Sequence, residues 1–178
     1  VLGSGIISRS DRVIAAADWK FVRGPYTRDR VKFFGGECPE IYGDPALLLP
    51  LIVEPSEKKY EVGIVPHNVD LAYATEKFTG SNIIGLKTRN YKNVVDKITQ
   101  CESIISSSLH GVICAHAYGI PAAWVKSNTK LKGDDVKFED FFASVDVDGI
   151  QSTFDKPVFI NPKAANLEPL IKIYNELK

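Results

Sequence analysis

Methionine is absent from the 178 residues, while cysteine and histidine occur three times each and tryptophan twice. These scarcities narrow the function. Cys38, Cys101 and Cys114 are odd in number and share no metal-ligand spacing, and Cys101 and Cys114 fall in segments that read as buried. The pattern argues against a zinc site or a disulfide framework and predicts reduced thiols in a cytoplasmic compartment. Net charge is lacking too: 22 basic residues balance 22 acidic ones, so no overall field favours nucleic acid or an anionic membrane, and no local basic patch replaces it. No apolar run approaches the roughly 18 to 20 residues of a membrane span, and the opening VLGSGII is too short and lacks the charged start of a signal peptide. With no initiating methionine and an apolar pair running straight into Gly3-Ser4-Gly5, the expectation is a fragment or a shortened homologue.

What the chain does contain is alternation. After residue 55, apolar strand-like runs alternate with helical patterns, as in the βαβ units of a parallel sheet. The pattern predicts strands over 60–66, 82–87, 103–107 and 122–126, with helices over 71–79 and 91–100. Leu109, Val112, Ile113, His116 and Ala117 make one further helical stripe, which Gly119-Ile120-Pro121 ends. Residues 138–144 read as a short helix, 158–160 as an edge segment, and 164–177 as a terminal amphipathic helix with Leu167, Leu170, Ile171 and Tyr174 on one side. The first fifty residues carry the same grammar in shortened form: a strand at 20–22, a helix over 26–34 and a strand before Gly43-Asp44-Pro45. Pro50 and Pro55, followed by Ser56-Glu57-Lys58-Lys59, make the best linker, which predicts one part over 1–54 and a second domain over 55–178. The fold class is α/β, a Rossmann-like parallel sheet flanked by helices.

Residues 106–111 read SSSLHG. A strand that runs into three serines, then a histidine and a glycine as the next helix opens, sets an imidazole beside free N–H groups at the positive end of a helix dipole. Such a turn suits a phosphate or carboxylate. His110 is therefore the leading chemical candidate, with Ser107, Ser108 and Gly111 leaving room for a ligand beside it. His67, in PHNVD, also lies beyond the carboxyl end of a strand, where parallel sheets place ligands. Its competing role is to fix a loop, with Asp70 capping the helix at Leu71. His116 falls on the buried stripe and reads as a core or interface histidine.

Arg23 ends an apolar strand in FVRGP, where Gly24 would let backbone approach a ligand and Pro25 suits a helix start. Its guanidinium would grip phosphate or carboxylate, or else pair with Asp18, Asp29 or Asp44. Lys126, Lys130 and Lys132 read as a solvated loop from which one lysine could reach the same rim. Gly3-Ser4-Gly5 lacks the full dinucleotide fingerprint and a P-loop lysine, and the serines lack the glycines of a nucleophile elbow, which argues against serine hydrolase chemistry.

Taken in order, VLGSGI, FVRGP, GDPALLLP, GIVPHNVD, SSSLHGVICAHAYGIPAAW and KFEDFF resemble the polysaccharide pyruvyl transferase family over nearly the whole chain. The resemblance implies a GT-B-like fold of two Rossmann-like domains facing a cleft, here with a truncated N-terminal half-domain. It implies transfer of a pyruvyl group from phosphoenolpyruvate onto two hydroxyls of a sugar, forming a ketal in exopolysaccharide biosynthesis, with no metal or organic cofactor. The site would be cytoplasmic, at the inner face of the membrane where the acceptor is a lipid-linked saccharide. His110 would be the central catalytic residue, Arg23 a ligand for the phosphate or carboxylate of phosphoenolpyruvate, and Lys130 a further contact. Many members carry Arg two positions before this histidine, where Ser108 stands here, so one anion contact is absent or comes from elsewhere.

The residues themselves suit that chemistry. An imidazolium can protonate the methylene carbon so that C2 becomes oxocarbenium-like, and His67 is available to accept the sugar hydroxyl proton. The alternatives are a GT-B glycosyltransferase using a nucleotide sugar, with Glu139 and Asp140 left open as ribose partners, and a non-catalytic remnant that dimerises through exposed core surface. The expected partners are phosphoenolpyruvate, a saccharide acceptor and a second copy of the chain, with no nucleic acid.

Overall fold

A computed structural model describes residues 1–127 and 133–177. In chain order these residues form β1 (Leu2–Ser4), β2 (Phe21–Val22), α1 (Pro25–Phe33), a 3-10 helix at Pro45–Leu51, β3 (Tyr60–Val65), a 3-10 turn at Asn68–Asp70 and α2 (Leu71–Lys77). There follow β4 (Asn82–Ile83), α3 (Tyr91–Thr99), β5 (Cys101–Ser106), α4 (Leu109–Ala117), β6 (Ala122–Val125), α5 (Val136–Ser144), β7 (Gln151–Ser152) and α6 (Glu168–Glu176).

The chain divides into two compact units, Val1–Leu48 with Lys132–Gly149 and Lys163–Lys178, and Leu49–Leu131 with Ile150–Pro162. Composition predicts two contiguous pieces meeting after residue 54. The observed division differs, because α5 and α6 belong to the first unit. A proline-rich linker marks where a chain leaves a unit, but nothing local marks a return, which is decided by what an apolar helix face finds to bury against.

The second unit is a five-stranded sheet in the order β4-β3-β5-β6-β7, parallel throughout. Residues 60–65 are paired in register with 101–106, so Val65 lies opposite Ser106. Because strand side chains alternate, Ile64 packs with Ile105, Ala123, Val125, Phe154 and Ala74 of α2, whereas Val65 meets α4 at Gly111. Helices α2 and α4 thus cover opposite faces. Two segments differ from the sequence reading: the strand expected over 82–87 pairs only at Asn82–Ile83, and the edge expected at 158–160 is one antiparallel bridge between Ile160 and Ala122. The edge strand beside β6 is β7, too short to show a pattern.

Helix α4 ends in a Schellman arrangement. Gly119 adopts φ +70°, its N–H reaches His116 O at 3.1 Å, and Ile120 N–H reaches Ala115 O at 2.9 Å, after which Pro121 prevents continuation.

In the first unit β1 and β2 form a two-stranded parallel sheet, extended by a bridge from Val22 to Tyr42. This pair is what the shortened N-terminal grammar amounts to. Val22, Val31 and Cys38 form one buried cluster with Val13, Trp19 and Tyr42 against it, and α5 contributes Val136, Phe138, Phe141 and Phe142 to the interior.

Candidate functional site

Numbered by appearance within the second unit, the strand order is 2-1-3-4-5, so the winding reverses between β3 and β5. Open parallel sheets take ligands beyond the carboxyl ends of the strands at such a reversal. His67 leaves β3 there, and the SSSLHG turn leaves β5 there.

The turn is held from inside. Ser106 is wholly buried; its hydroxyl lies 2.7 Å from Val65 O and 2.8 Å from Ser108 O, and it accepts the Ser108 N–H at 3.0 Å. Ser107 donates to Asp70 Oδ2 at 2.7 Å and accepts the His67 N–H at 2.9 Å. That bond brings the two histidine-bearing segments together. Ser108 stands at the N-cap in extended conformation without a side-chain cap bond. Its hydroxyl, and the amides of Leu109 and His110, have no hydrogen-bond partner among the described residues. His110 is exposed on a helix whose residues 111–116 are all buried, so its imidazole stands in solvent at the positive end of the α4 dipole.

Gly111 leaves no space in the direction a Cβ would take. A Cβ at Gly111 would overlap Ser106 Oγ and lie 2.7 Å from Val65 Cγ1, so this glycine lets α4 seat closely on the sheet, and its N–H goes to Ser108 O at 3.1 Å. His67 is half-buried, with Nδ1 3.4 Å from the Val69 N–H that it accepts, which is the loop-fixing contact. Asp70 occupies the N-cap position of α2 but makes no side-chain cap bond; its carboxylate points instead to Ser107 and to Ser127, whose hydroxyl lies 2.8 Å from Oδ1. Lys130 lies outside the described residues.

Arg23 belongs to the first unit and is 7% exposed. Its partner is none of the three aspartates expected but Asp140 of α5, with Nε 3.2 Å from Oδ2 though not aligned as a hydrogen bond. Its Nη2 donates to Ile6 O. Asp140, wholly buried, also accepts the Thr27 N–H at 3.1 Å and the Thr27 hydroxyl at 2.6 Å. Burial lowers the Arg23 pKa from its ordinary value, against the opposing pull of Asp140 and Asp44.

Gly5 and Gly24 explain the tight fit. A Cβ on Gly5 would overlap the guanidinium, and one on Gly24 would overlap Asp140. Gly24 therefore admits Asp140 rather than a ligand. Nη1 alone of the guanidinium nitrogens has neither a partner nor full burial. Glu139 pairs with Arg9 and Asp140 with Arg23, so both residues left open for a ribose are engaged. His116 is buried as expected, with Nε2 3.2 Å from Ile160 O. Its pKa is pushed down to about 4 by burial, which outweighs that bond.

Among the described residues no three of His, Cys, Asp and Glu converge to hold a metal ion, and no helix is long and apolar enough to cross a membrane. The family model for polysaccharide pyruvyl transferases matches residues 1–129. An uncharacterised protein of Acanthamoeba polyphaga mimivirus is 35% identical over 153 residues, covering 80% of this chain and 53% of the relative. The succinoglycan biosynthesis protein ExoV of Rhizobium meliloti (strain 1021) is 31% identical over 137 residues, covering 73% of this chain and 41% of its own length. The chain therefore spans about half the length of the curated relatives it matches. No solved structure matches it.

Proposed function

The chain belongs to the polysaccharide pyruvyl transferase family, and we propose that it acts in transfer of a pyruvyl group from phosphoenolpyruvate to a saccharide, forming a cyclic ketal. One observation carries the reading: at the β3–β5 reversal an exposed His110 stands beside two unpartnered helix amides and the open Ser108 hydroxyl. That combination offers a proton donor next to an anion seat. ExoV, a relative named for succinoglycan biosynthesis, favours a saccharide acceptor.

In the proposed reaction the α4 N-terminus holds an anionic group of phosphoenolpyruvate through the Leu109 and His110 amides and Ser108. Ser107 and Gly111 shape the turn rather than bind. The His110 imidazolium gives its proton to the C3 methylene, and C2 becomes oxocarbenium-like. A sugar hydroxyl oxygen then bonds to C2 and its proton passes to His67. The C2–O bond to phosphorus's bridging oxygen breaks, phosphate departs with the electron pair, and a second hydroxyl closes the ketal, its proton leaving with the phosphate. Arg23, in the first unit, is proposed to bind an anion through Nη1.

The test is calorimetric titration with phosphoenolpyruvate, inorganic phosphate and nucleotide sugars, followed by an assay of phosphate release with saccharide acceptors. Selective binding of phosphoenolpyruvate, with turnover lowered about a hundredfold or more in His110→Ala, is the expected result. Nucleotide-sugar binding, or near wild-type turnover in a folded His110→Ala, would overturn the reading.

A further inference from the structure

Asp70 is wholly buried and has no part in the reaction above. Its Oδ2 accepts the Ser107 hydroxyl at 2.7 Å and its Oδ1 accepts the Ser127 hydroxyl at 2.8 Å, while Ser107 in turn accepts the His67 N–H at 2.9 Å. These groups come from three places in the chain. His67 and Asp70 follow β3, Ser107 follows β5 and Ser127 follows β6, so the segments leaving three neighbouring strands meet at one carboxylate. Capping α2 does not account for this, since Asp70 makes no side-chain cap bond.

Burying a carboxyl group is unfavourable unless hydrogen bonds replace its hydration, and two serine hydroxyls supply such bonds here. A carboxylate only accepts. Both serine hydroxyls must therefore aim their protons at Asp70, which turns a Ser107 lone pair toward the His67 amide. This order of donation, from amide to hydroxyl to carboxyl oxygen, holds the β3 and β5 exits in their relative placement.

We propose that Asp70 is a positioning residue: by holding Ser107 and Ser127 it ties together the segments leaving β3, β5 and β6, and so fixes the backbone from which the His67 and His110 side chains emerge. Asp70 touches no reacting atom and acts through Ser107. An amide at this position keeps only one acceptor oxygen for two hydroxyls.

The test uses Asp70→Asn and Ser107→Ala in the full chain, with Ser107→Thr as the conservative variant that keeps the hydroxyl. Hydrogen exchange at the His67 amide and the ring resonances of His110 report placement directly. Both disruptive variants should speed His67 exchange about tenfold or more and shift the His110 ring signals, leaving Ile64 and Ile105 in place. Ser107→Thr should restore both signals. The activity arm rests on the pyruvyl transferase reading: kcat should fall about ten- to a hundredfold with KM within about twofold. If the unsubstituted chain releases no phosphate from phosphoenolpyruvate, that reading fails while the exchange arm still decides Asp70. Unchanged His67 exchange and His110 signals in folded Asp70→Asn would overturn the proposal. If that variant does not fold, the same result in Ser107→Ala, which leaves Asp70 its bond to Ser127, would do so.

Discussion

Gly111→Ala adds one methyl group where the structure has no room for it. The new Cβ would overlap Ser106 Oγ, lie 2.7 Å from Val65 Cγ1 and 2.9 Å from Val65 Cβ, and Val65 is fully buried on β3 with no freedom to retreat. Overpacking of this kind costs about 1–3 kcal/mol. Displacing Ser106 Oγ weakens its bonds to the Val65 and Ser108 carbonyls and from the Ser108 amide, a further loss of about 1 kcal/mol. Alanine returns about 1 kcal/mol as the better helix former. The net expectation is a destabilisation of about 2 kcal/mol, equivalent to a midpoint lowered by roughly 4–8 °C for a chain of this size.

Urea unfolding followed by tryptophan fluorescence measures this loss. Trp124, buried on β6, reports the second unit, and a Trp19→Phe background removes the signal of the first. Gly85→Ala is the control, because a Cβ there meets only Leu71 side-chain atoms at 3.8 Å and beyond. If Gly111→Ala were as stable as the parent, or more so, the close seating of α4 on β3 would be refuted, and with it the account of why a glycine follows His110.

Two further predictions concern buried ionisable groups. Burial holds the His116 pKa at about 4, against 6.5 ordinarily; between those values the unfolded chain takes up a proton that the folded one refuses. Stability should therefore fall as pH drops through that window, by at most roughly 3 kcal/mol. In His116→Gln the pH slope of the urea midpoint should flatten, and an unchanged slope would refute the assignment. Arg23→Ala leaves Asp140 buried without its cation, which costs about 3–5 kcal/mol where such a pair is fully enclosed. The two Thr27 bonds to Asp140 place this case at the lower end. Arg23→Ala/Asp140→Asn should recover part of the loss in the Trp19-reported transition, whereas additive losses would show that the two residues do not interact.

The βαβ succession from residue 60 to residue 125 was legible because its signals are local: apolar runs, helical spacing in residues 91–99, and the Gly119-Ile120-Pro121 stop. The SSSLHG turn, a strand running into a helix start, was legible for the same reason, since strand, turn and helix start lie within a few residues of one another. Element ends were less so. Strand β4 pairs over two residues where six were expected, because an exposed edge needs only partial pairing.

Other features depend on partners distant in sequence. That Arg23 pairs with Asp140 rather than with Asp18, Asp29 or Asp44, that Gly24 makes room for Asp140, and that Gly111 fits α4 onto Val65 are settled by which surfaces come within ångströms of each other. Asp70 shows the limit most clearly. Its sequence position suggests a helix cap, and only the register of β3, β5 and β6 brings Ser107 and Ser127 to its two oxygens. Sequence by itself determined the residue types, the strand and helix succession from residue 60 to residue 125, and the family. The tertiary structure alone decided which polar groups are spent inside the protein and which, like His110 and its neighbouring amides, remain open, because hydrogen-bond partners and steric room are properties of spatial neighbours that periodicity along the chain does not encode.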